Sequence, residues 1–302
     1  MVGEASRPAL VINAARVADV RRLCRACERA TVASGWRAPL VLSTTPHDAG
    51  SGLTRQALAA GADLVIVAGG DGTVRACAEV LAGTGVPLAI VPAGSANLTA
   101  KALGVPLRVP AAVRVAFGGR DRQIDLALAD GMTFAAMAGI GLDAAVVGAT
   151  PDTAKRLTGW PAYAAAAASQ LMGKPATFTV RLDGGEPMIR PARSVTVGNS
   201  GALPGGFLVM PGARLDDGLL DVLVLAPAGP LGWAAVGYRV LIRSRRDNLQ
   251  LERYRARSIE ICADADLPRQ VDGEIIAPGR SLTVTVQPGA LLVRVPVDRR
   301  PA

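Results

Sequence analysis

The stretch Leu64-Val-Ile-Val-Ala-Gly-Gly-Asp-Gly-Thr73 decides the fold. Its first five residues are an unbroken apolar run, the pattern of a strand covered on both faces, and the glycine cluster leads into a helical pattern from Val74. Gly69, Gly70 and Gly72 admit backbone conformations closed to other residues, so successive N–H groups can converge on a phosphate at a helix N-terminus. Asp71 is then a carboxylate held beside that phosphate, suited to binding Mg²⁺ or orienting a proton transfer. The competing reading is a tight strand-to-helix turn with Asp71 or Thr73 as N-cap.

Working outward, similar apolar runs occur at Ala9-Leu-Val-Ile-Asn13, Pro39-Leu-Val-Leu-Ser43 and Leu88-Ala-Ile-Val91. Between the first two, Val17, Val20, Cys24, Cys27 and Thr31 recur every three to four residues, which marks one face of an amphipathic helix. Apolar strands separated by single helices imply a parallel sheet, whose ligands bind beyond the carboxyl ends of the strands. Leu88 to Val91 runs into a second loop there, Pro92-Ala-Gly-Ser-Ala-Asn97, which offers a glycine, the Ser95 hydroxyl and the Asn97 amide. Two such loops on adjacent units suit a nucleotide polyphosphate. Neither loop is a Walker A sequence, and no GxGxxG follows the first strand, which disfavours a P-loop or dinucleotide fold.

After about Gln123 the pattern changes. Gln123 to Ala129 alternates with period two and reaches Asp130-Gly131, a hairpin signal, before a further strand at Thr133 to Ala138. More strands are predicted at Ala176 to Leu182, Ser194 to Gly198, Leu219 to Leu225, Ser258 to Ala263, Ser281 to Gln287 and Leu291 to Val295, with a turn at Asp183-Gly184-Gly185. Pro161 to Gly173 and Leu231 to Ile242 read as helices. The fold class is therefore α/β plus β. A doubly wound parallel-sheet domain spans residues 1–122, and a mainly antiparallel β-sandwich spans 123–302, its last strand free to pack back on the first domain.

The 302 residues are 50% hydrophobic and 3% aromatic, which excludes disorder and fibres. Lysine and arginine number 33 against 25 acids, for a net charge of +8, and only Lys101, Lys155 and Lys174 are lysines, so the arginine bias is read as coding background. A mild attraction to anions remains. Four cysteines make no disulfide framework in a chain this long, and the Cys24/Cys27 pair with His47 as lone histidine cannot complete a zinc site. The first ten residues lack a basic segment followed by an apolar one, and no run approaches the ~18 apolar residues of a membrane span, so a cytoplasmic location is expected.

The loops in sequence resemble the diacylglycerol kinase catalytic domain family, which includes bacterial diacylglycerol kinases and sphingosine and ceramide kinases. Gly69 to Thr73 is similar to its signature, and Pro92 to Asn97 to its P-x-G-T-x-N loop. The likeness continues through Ala138-Gly-Ile-Gly-Leu-Asp-Ala144, Gly198-Asn199, Gly205-Gly206, Pro211 to Asp221 and Val271-Asp-Gly-Glu274, in the family's order. The resemblance implies ATP in a cleft between the two domains and a γ-phosphoryl group passed to a lipid hydroxyl, diacylglycerol-like above all. It assigns nucleotide contacts to Asn13, Thr44, Gly69, Gly70, Asp71, Gly72, Thr73 and Ser95, and catalysis to Asp71 with Mg²⁺ and to Glu274 as general base. It also implies a structural Mg²⁺ on the Asp217 side chain and the Arg214 and Leu219 carbonyls, where a plain Asp-Gly turn is the alternative.

The departures are Ala14 in place of proline, Ser95-Ala96 in place of Thr-Gly, and Arg75-Ala76 in place of Asn-Glu. Arginines between Arg239 and Arg257 offer a surface for anionic phospholipid, with a solvated face as the alternative. A lipid substrate implies peripheral association with the membrane. Nucleic acid is disfavoured by the scarcity of aromatics, and the oligomeric state, a homodimer included, is left open. NAD kinase shares the GGDG loop, but its Asn-Glu element is missing downstream; a silent nucleotide-binding regulator is the remaining alternative.

Overall fold

The computed structural model describes residues 6–142, 175–201, 209–242 and 250–297. The chain divides into two compact units, Met1–Ile124 with Gly289–Ala302, and Asp125–Pro288. The sequence reading placed the first boundary at residue 122. The terminal stretch, which that reading counts with the second half while leaving its last strand free to pack back on the first, groups with the first unit.

In the first unit, β1 (Pro8–Ile12), β2 (Leu40–Ser43), β3 (Leu64–Gly69) and β4 (Leu88–Pro92) form a parallel sheet in the order β4-β3-β1-β2. Every residue of β1, β3 and β4 is buried, as the apolar runs require of strands covered on both faces, while β2 at the edge is not. The connecting helices are α1 (Val20–Ser34), α2 (Ser51–Ala59) and α3 (Asp71–Leu81), followed by the single-turn α4 (Leu98–Ala102) and α5 (Val109–Gly118). Helix α1 packs on α5, and α2 on α3. Asp19 caps α1 by accepting from the Arg22 N–H at 2.8 Å, and Gly35 at φ 67° ends it. The buried stripe of α1 is Leu23, Cys27 and Thr31; Cys27 and Thr31 lie on the predicted face, and Leu23 takes the buried place expected of Cys24. All four cysteines are free, and burial pushes the Cys27 thiol up to about 12, so this pair is packing rather than chemistry.

The second unit is antiparallel. Its strands are β5 (Arg120–Ala129, shared with the first unit), β6 (Met132–Phe134), β7 (Met137–Gly141), β8 (Ala176–Leu182), β9 (Met188–Ala192), β10 (Ser194–Gly198), β11 (Leu220–Leu225), β12 (Leu251–Ala256), β13 (Ser258–Val271) and β14 (Glu274–Val295). One row runs β12-β11-β10-β7 and reaches the end of β13 at Arg269 to Val271; the start of β13, Ile259 to Ala263, pairs β8. Register shifts at Leu267 separate these halves, so a bulged strand serves both layers of the sandwich. The core between them gathers Phe134, Phe178, Val195, Val222, Ile259 and Leu282. Asp130-Gly131, Asp183-Gly184 and Asp272-Gly273 all have positive φ at both residues, the turn that matches strand twist.

Three predictions change. Thr133 to Ala138 is two strands, β6 and β7, and Ser281 to Gln287 with Leu291 to Val295 is one, β14. The continuation of β14 explains the regrouped terminus: Val293 pairs Leu88 of β4 in parallel, and Arg294 binds Asp121 at 2.5 Å. The predicted helix at Leu231 is α6 (Gly229–Leu241). Pro161 to Gly173 lies outside the described residues.

Candidate active site

At the carboxyl edge of the parallel sheet the strand ends are tied together by main chain. Asn13 N–H donates to the Ala68 carbonyl, Thr44 N–H to that of Ile12, and Ala93 N–H to that of Gly69, each at 2.8 Å. The Asn13 amide donates to Thr73 Oγ1 at 3.0 Å, joining the β1 loop to the first turn of α3. Asn13, Thr44, the Gly69–Thr73 loop and the β4 loop are thus brought together.

The glycines here are required by space. A Cβ on Gly69 would lie 2.8 Å from Thr73 Cβ, and one on Gly94 would lie 2.6 Å from the Gly70 Cα. The two loops therefore touch backbone to backbone, with no side chain between them. A Cβ on Gly72 would meet nothing within 4 Å, and Ser95 is exposed, so both face open surface.

Two residues behave differently from their sequence reading. The N-cap of α3 is Gly70, not Asp71 or Thr73. Asp71 instead reaches across to α4, where Oδ1 accepts the Thr99 N–H at 3.3 Å. Desolvation raises the Asp71 pKa, opposed by the N–H groups of Thr99, Leu98 and Asn97 and by Lys101. Asn97, at φ 50°, turns its amide back on its own loop, accepting from Gly94 N–H at 2.9 Å and donating to the Gly94 carbonyl at 2.7 Å. It braces the loop rather than offering a free amide.

In the second unit, Glu274 is exposed at the first position of β14, immediately after the Asp272-Gly273 turn. That turn is held by a residue the sequence reading took only as a turn signal. The Asp272 carboxylate accepts three backbone N–H groups, from Ala135, Ala136 and Met137, at 2.9 to 3.0 Å. Buried Asp125 was missed too, because a lone acid in an alternating strand gives no signal; its Oδ2 accepts the Gly218 N–H at 2.7 Å and so clamps the loop before β11.

That loop carries Arg214, Asp217 and Leu219, and of the donors the resemblance implies, the Asp217 carboxylate already has protein partners. Asp217 Oδ2 is paired with the Arg255 guanidinium, and Oδ1 accepts the Leu219 N–H at 3.2 Å. The Arg214 side chain pairs with Asp216 at 3.3 Å, a contact that does not involve its carbonyl. Arg255 Nε also stands 3.7 Å from Asp221, so a guanidinium supplies positive charge where the resemblance implies a metal. Among the described residues no group of three His, Cys, Asp or Glu side chains could hold an ion. Burial pushes the Asp221 carboxyl up to about 6 despite Arg255. Arg253 also turns inward, donating to the Val209 carbonyl at 2.8 Å, while Arg243, Arg245 and Arg246 lie outside the described residues. The basic stretch is therefore partly structural.

The fold thus comprises a parallel α/β unit with two touching glycine loops and an antiparallel sandwich that carries an exposed glutamate after an Asp-Gly turn. The diacylglycerol kinase catalytic domain matches residues 8–129, and the YegS C-terminal NAD kinase beta sandwich-like domain matches residues 136–295. A probable lipid kinase YegS-like of Pseudomonas fluorescens is 36% identical over 281 residues, 91% of each chain. A diacylglycerol kinase of Mycobacterium tuberculosis is 37% identical over 187 residues, 58% of this chain and 59% of that one. In fold, a diacylglycerol kinase crystal structure from Bacillus anthracis superposes with a TM-score of 0.73 at 22% identity, covering 98% of both chains. The chain belongs to the lipid kinase family built from a diacylglycerol kinase catalytic domain and a YegS-type C-terminal domain.

Proposed function

We propose that the protein transfers the γ-phosphoryl group of ATP to the hydroxyl of a diacylglycerol-like lipid at the membrane surface. The observation that carries this reading is the backbone contact of Gly70 with Gly94, beneath the Asn13–Thr73 hydrogen bond. With no side chain between the two loops, a polyphosphate can lie against main-chain N–H groups at the start of α3, where the helix dipole favours negative charge. Asn13, Thr44 and Ser95 add an amide and two hydroxyls around it.

Mg²⁺ bound with the nucleotide would neutralise charge on the transferring phosphate, with Asp71 as its protein partner. In the transfer, the acceptor oxygen bonds to the γ-phosphorus as the bridging bond to ADP breaks, and the hydroxyl proton passes to Glu274. The three N–H groups on Asp272 fix the turn from which Glu274 projects, so the carboxylate is held on rigid backbone. No step passes through Asp217, whose carboxylate Arg255 already neutralises.

The names of the relatives, a lipid kinase and a diacylglycerol kinase, support the lipid acceptor. Peripheral membrane association is supported by α6, where Leu231, Tyr238 and Leu241 are 64 to 88% exposed at helical spacing, and by exposed Ile242 just after it. No helix among the described residues is long and apolar enough to cross a membrane. One observation favours a second reading: the C-terminal domain model carries the description NAD kinase beta sandwich-like. A mixed-lipid extract containing NAD, incubated with the protein and γ-labelled ATP, separates the two. Label in a chloroform-soluble product supports the lipid kinase, label in a water-soluble dinucleotide supports the NAD kinase, and no label in either leaves a nucleotide-binding regulator.

A further inference from the structure

A cavity of about 650 Å³ opens between the N-terminal ends of α1 and α5. Four arginines line it: Arg16 on the β1–α1 loop, Arg22 in the first turn of α1, Arg108 at the N-cap of α5 and Arg114 within α5. Asp19 is the one acid in the lining, and its Oδ1 accepts from the Arg22 N–H. Among the described residues none of these guanidinium groups makes an ion pair or a side-chain hydrogen bond. Other arginines of the chain do find carboxylates, as Arg294 does on Asp121, Arg269 on Asp130 at 2.6 Å and Arg190 on Glu252 at 3.1 Å.

We propose that this cavity, which borders the second glycine loop at Pro92 and Ala93, is a second anion site that takes a phosphomonoester or pyrophosphate group. Four guanidiniums against one carboxylate leave three positive charges around one cavity, an arrangement that favours a multiply charged anion. A carboxylate brings a single charge. A phosphomonoester brings nearly two, with three acceptor oxygens that match the planar forks of several arginines at once. Both helices direct their positive ends to the cavity, and α5 has no acid in its first turn and no side-chain cap. Val91 and Pro92 give the cavity an apolar floor that accommodates the carrier of the phosphate.

None of Asn13, Thr44, Gly69–Thr73 or Ser95 lines the cavity, so it is not the proposed nucleotide site, although Pro92 and Ala93 lead from its floor into the second glycine loop. The inference does not depend on which acceptor the enzyme uses. Two sources offer the same chemistry: a soluble phosphate compound, and the headgroup of phosphatidic acid.

The test uses the full chain and two probes, inorganic pyrophosphate by calorimetry and phosphatidylcholine vesicles with or without phosphatidic acid by co-sedimentation. The double variant Arg108→Gln/Arg114→Gln removes two exposed, unpaired side chains, so it should fold as the parent does. It should weaken binding of the recognised probe at least about tenfold, with a shallower salt dependence. Its affinity for Mg-ADP should stay within about twofold of the parent. Arg16→Gln/Arg22→Gln should repeat the loss from the opposite wall. Binding of pyrophosphate assigns a soluble source, and binding of phosphatidic acid vesicles alone assigns the lipid. The proposal is overturned if the parent binds neither probe, or if ADP displaces the probe and both affinities fall together in the variant.

Discussion

Gly94→Ala isolates the contact on which the nucleotide site rests. Gly94 has an ordinary backbone conformation, so alanine introduces no torsional strain there, and the whole effect is steric. The new Cβ lies 2.6 Å from the Gly70 Cα and 3.0 Å from Asn97 Oδ1. Relief to ordinary contact moves the loops apart by roughly 0.8 Å, against main chain on one side and a doubly hydrogen-bonded amide on the other. Overpacking of this kind costs about 1–3 kcal/mol, which lowers Tm by a few degrees. The functional effect should be larger, because a displacement near 1 Å in a positioned phosphate site can reduce turnover on the order of 10²-fold. Gly72→Ala is the matched control: its Cβ meets nothing within 4 Å, so the fold should keep the parent Tm. Thermal unfolding, ADP titration and phosphoryl transfer on the three proteins decide the matter. Parent-like Tm, ADP affinity and turnover in Gly94→Ala would refute the backbone contact as the basis of the site.

Asp272→Ala should destabilise the second unit by at least about 3 kcal/mol, since three buried N–H groups lose their acceptor and alanine must take φ 49°; Asp272→Asn, which keeps an acceptor oxygen, should lose less, and denaturant unfolding compares them. Asp221, at about 6 in the folded chain against 3.8 ordinarily, binds its proton more tightly when folded. Its contribution to stability is therefore greatest below pH ~4 and is lost as pH rises through ~6, a difference on the order of 3 kcal/mol. Asp221→Asn should remove that slope and raise stability at neutral pH, and an unchanged difference from the parent between pH 4 and 7 would contradict the assignment. A chelator should leave Tm within about 1 °C, because Arg255 neutralises Asp217 without a metal; a fall of several degrees reversed by Mg²⁺ would return the ion to that loop.

Much of the parallel unit was legible because β1, β3 and β4 are apolar runs buried along their length, and Asp130-Gly131, Asp183-Gly184 and Asp272-Gly273 announced their own turns. Strands whose stability comes from paired charges were not. β12 reads Leu-Glu-Arg-Tyr-Arg-Ala and shows no alternation of hydrophobicity, yet it pairs with β11 while Glu252 meets Arg190 and Arg255 meets Asp217. β9 holds Pro191, which removes a ladder donor and hides a strand at the edge of its layer. Between the two strands expected at Ser281 to Gln287 and Leu291 to Val295, Gly289 at φ 58° lets β14 run on as one. In the site, the glycine loops were visible as local sequence. The partners of Asp71 and Asp217 were not, since Thr99 is 28 residues from one and Arg255 is 38 residues from the other.

The most direct test follows the fate of the γ-phosphate. Parent and Glu274→Gln proteins are incubated with γ-labelled ATP, Mg²⁺ and diacylglycerol in mixed micelles, and the label is counted in the chloroform phase while nucleotide affinity is measured separately. The parent should form labelled phosphatidic acid, and Glu274→Gln should lower kcat by roughly 10²- to 10⁴-fold with ATP affinity nearly unchanged, the signature of a lost general base. Equal turnover by the two proteins would remove Glu274 from the chemistry. Label that never enters lipid, while NAD becomes labelled in its place, would contradict the lipid kinase itself.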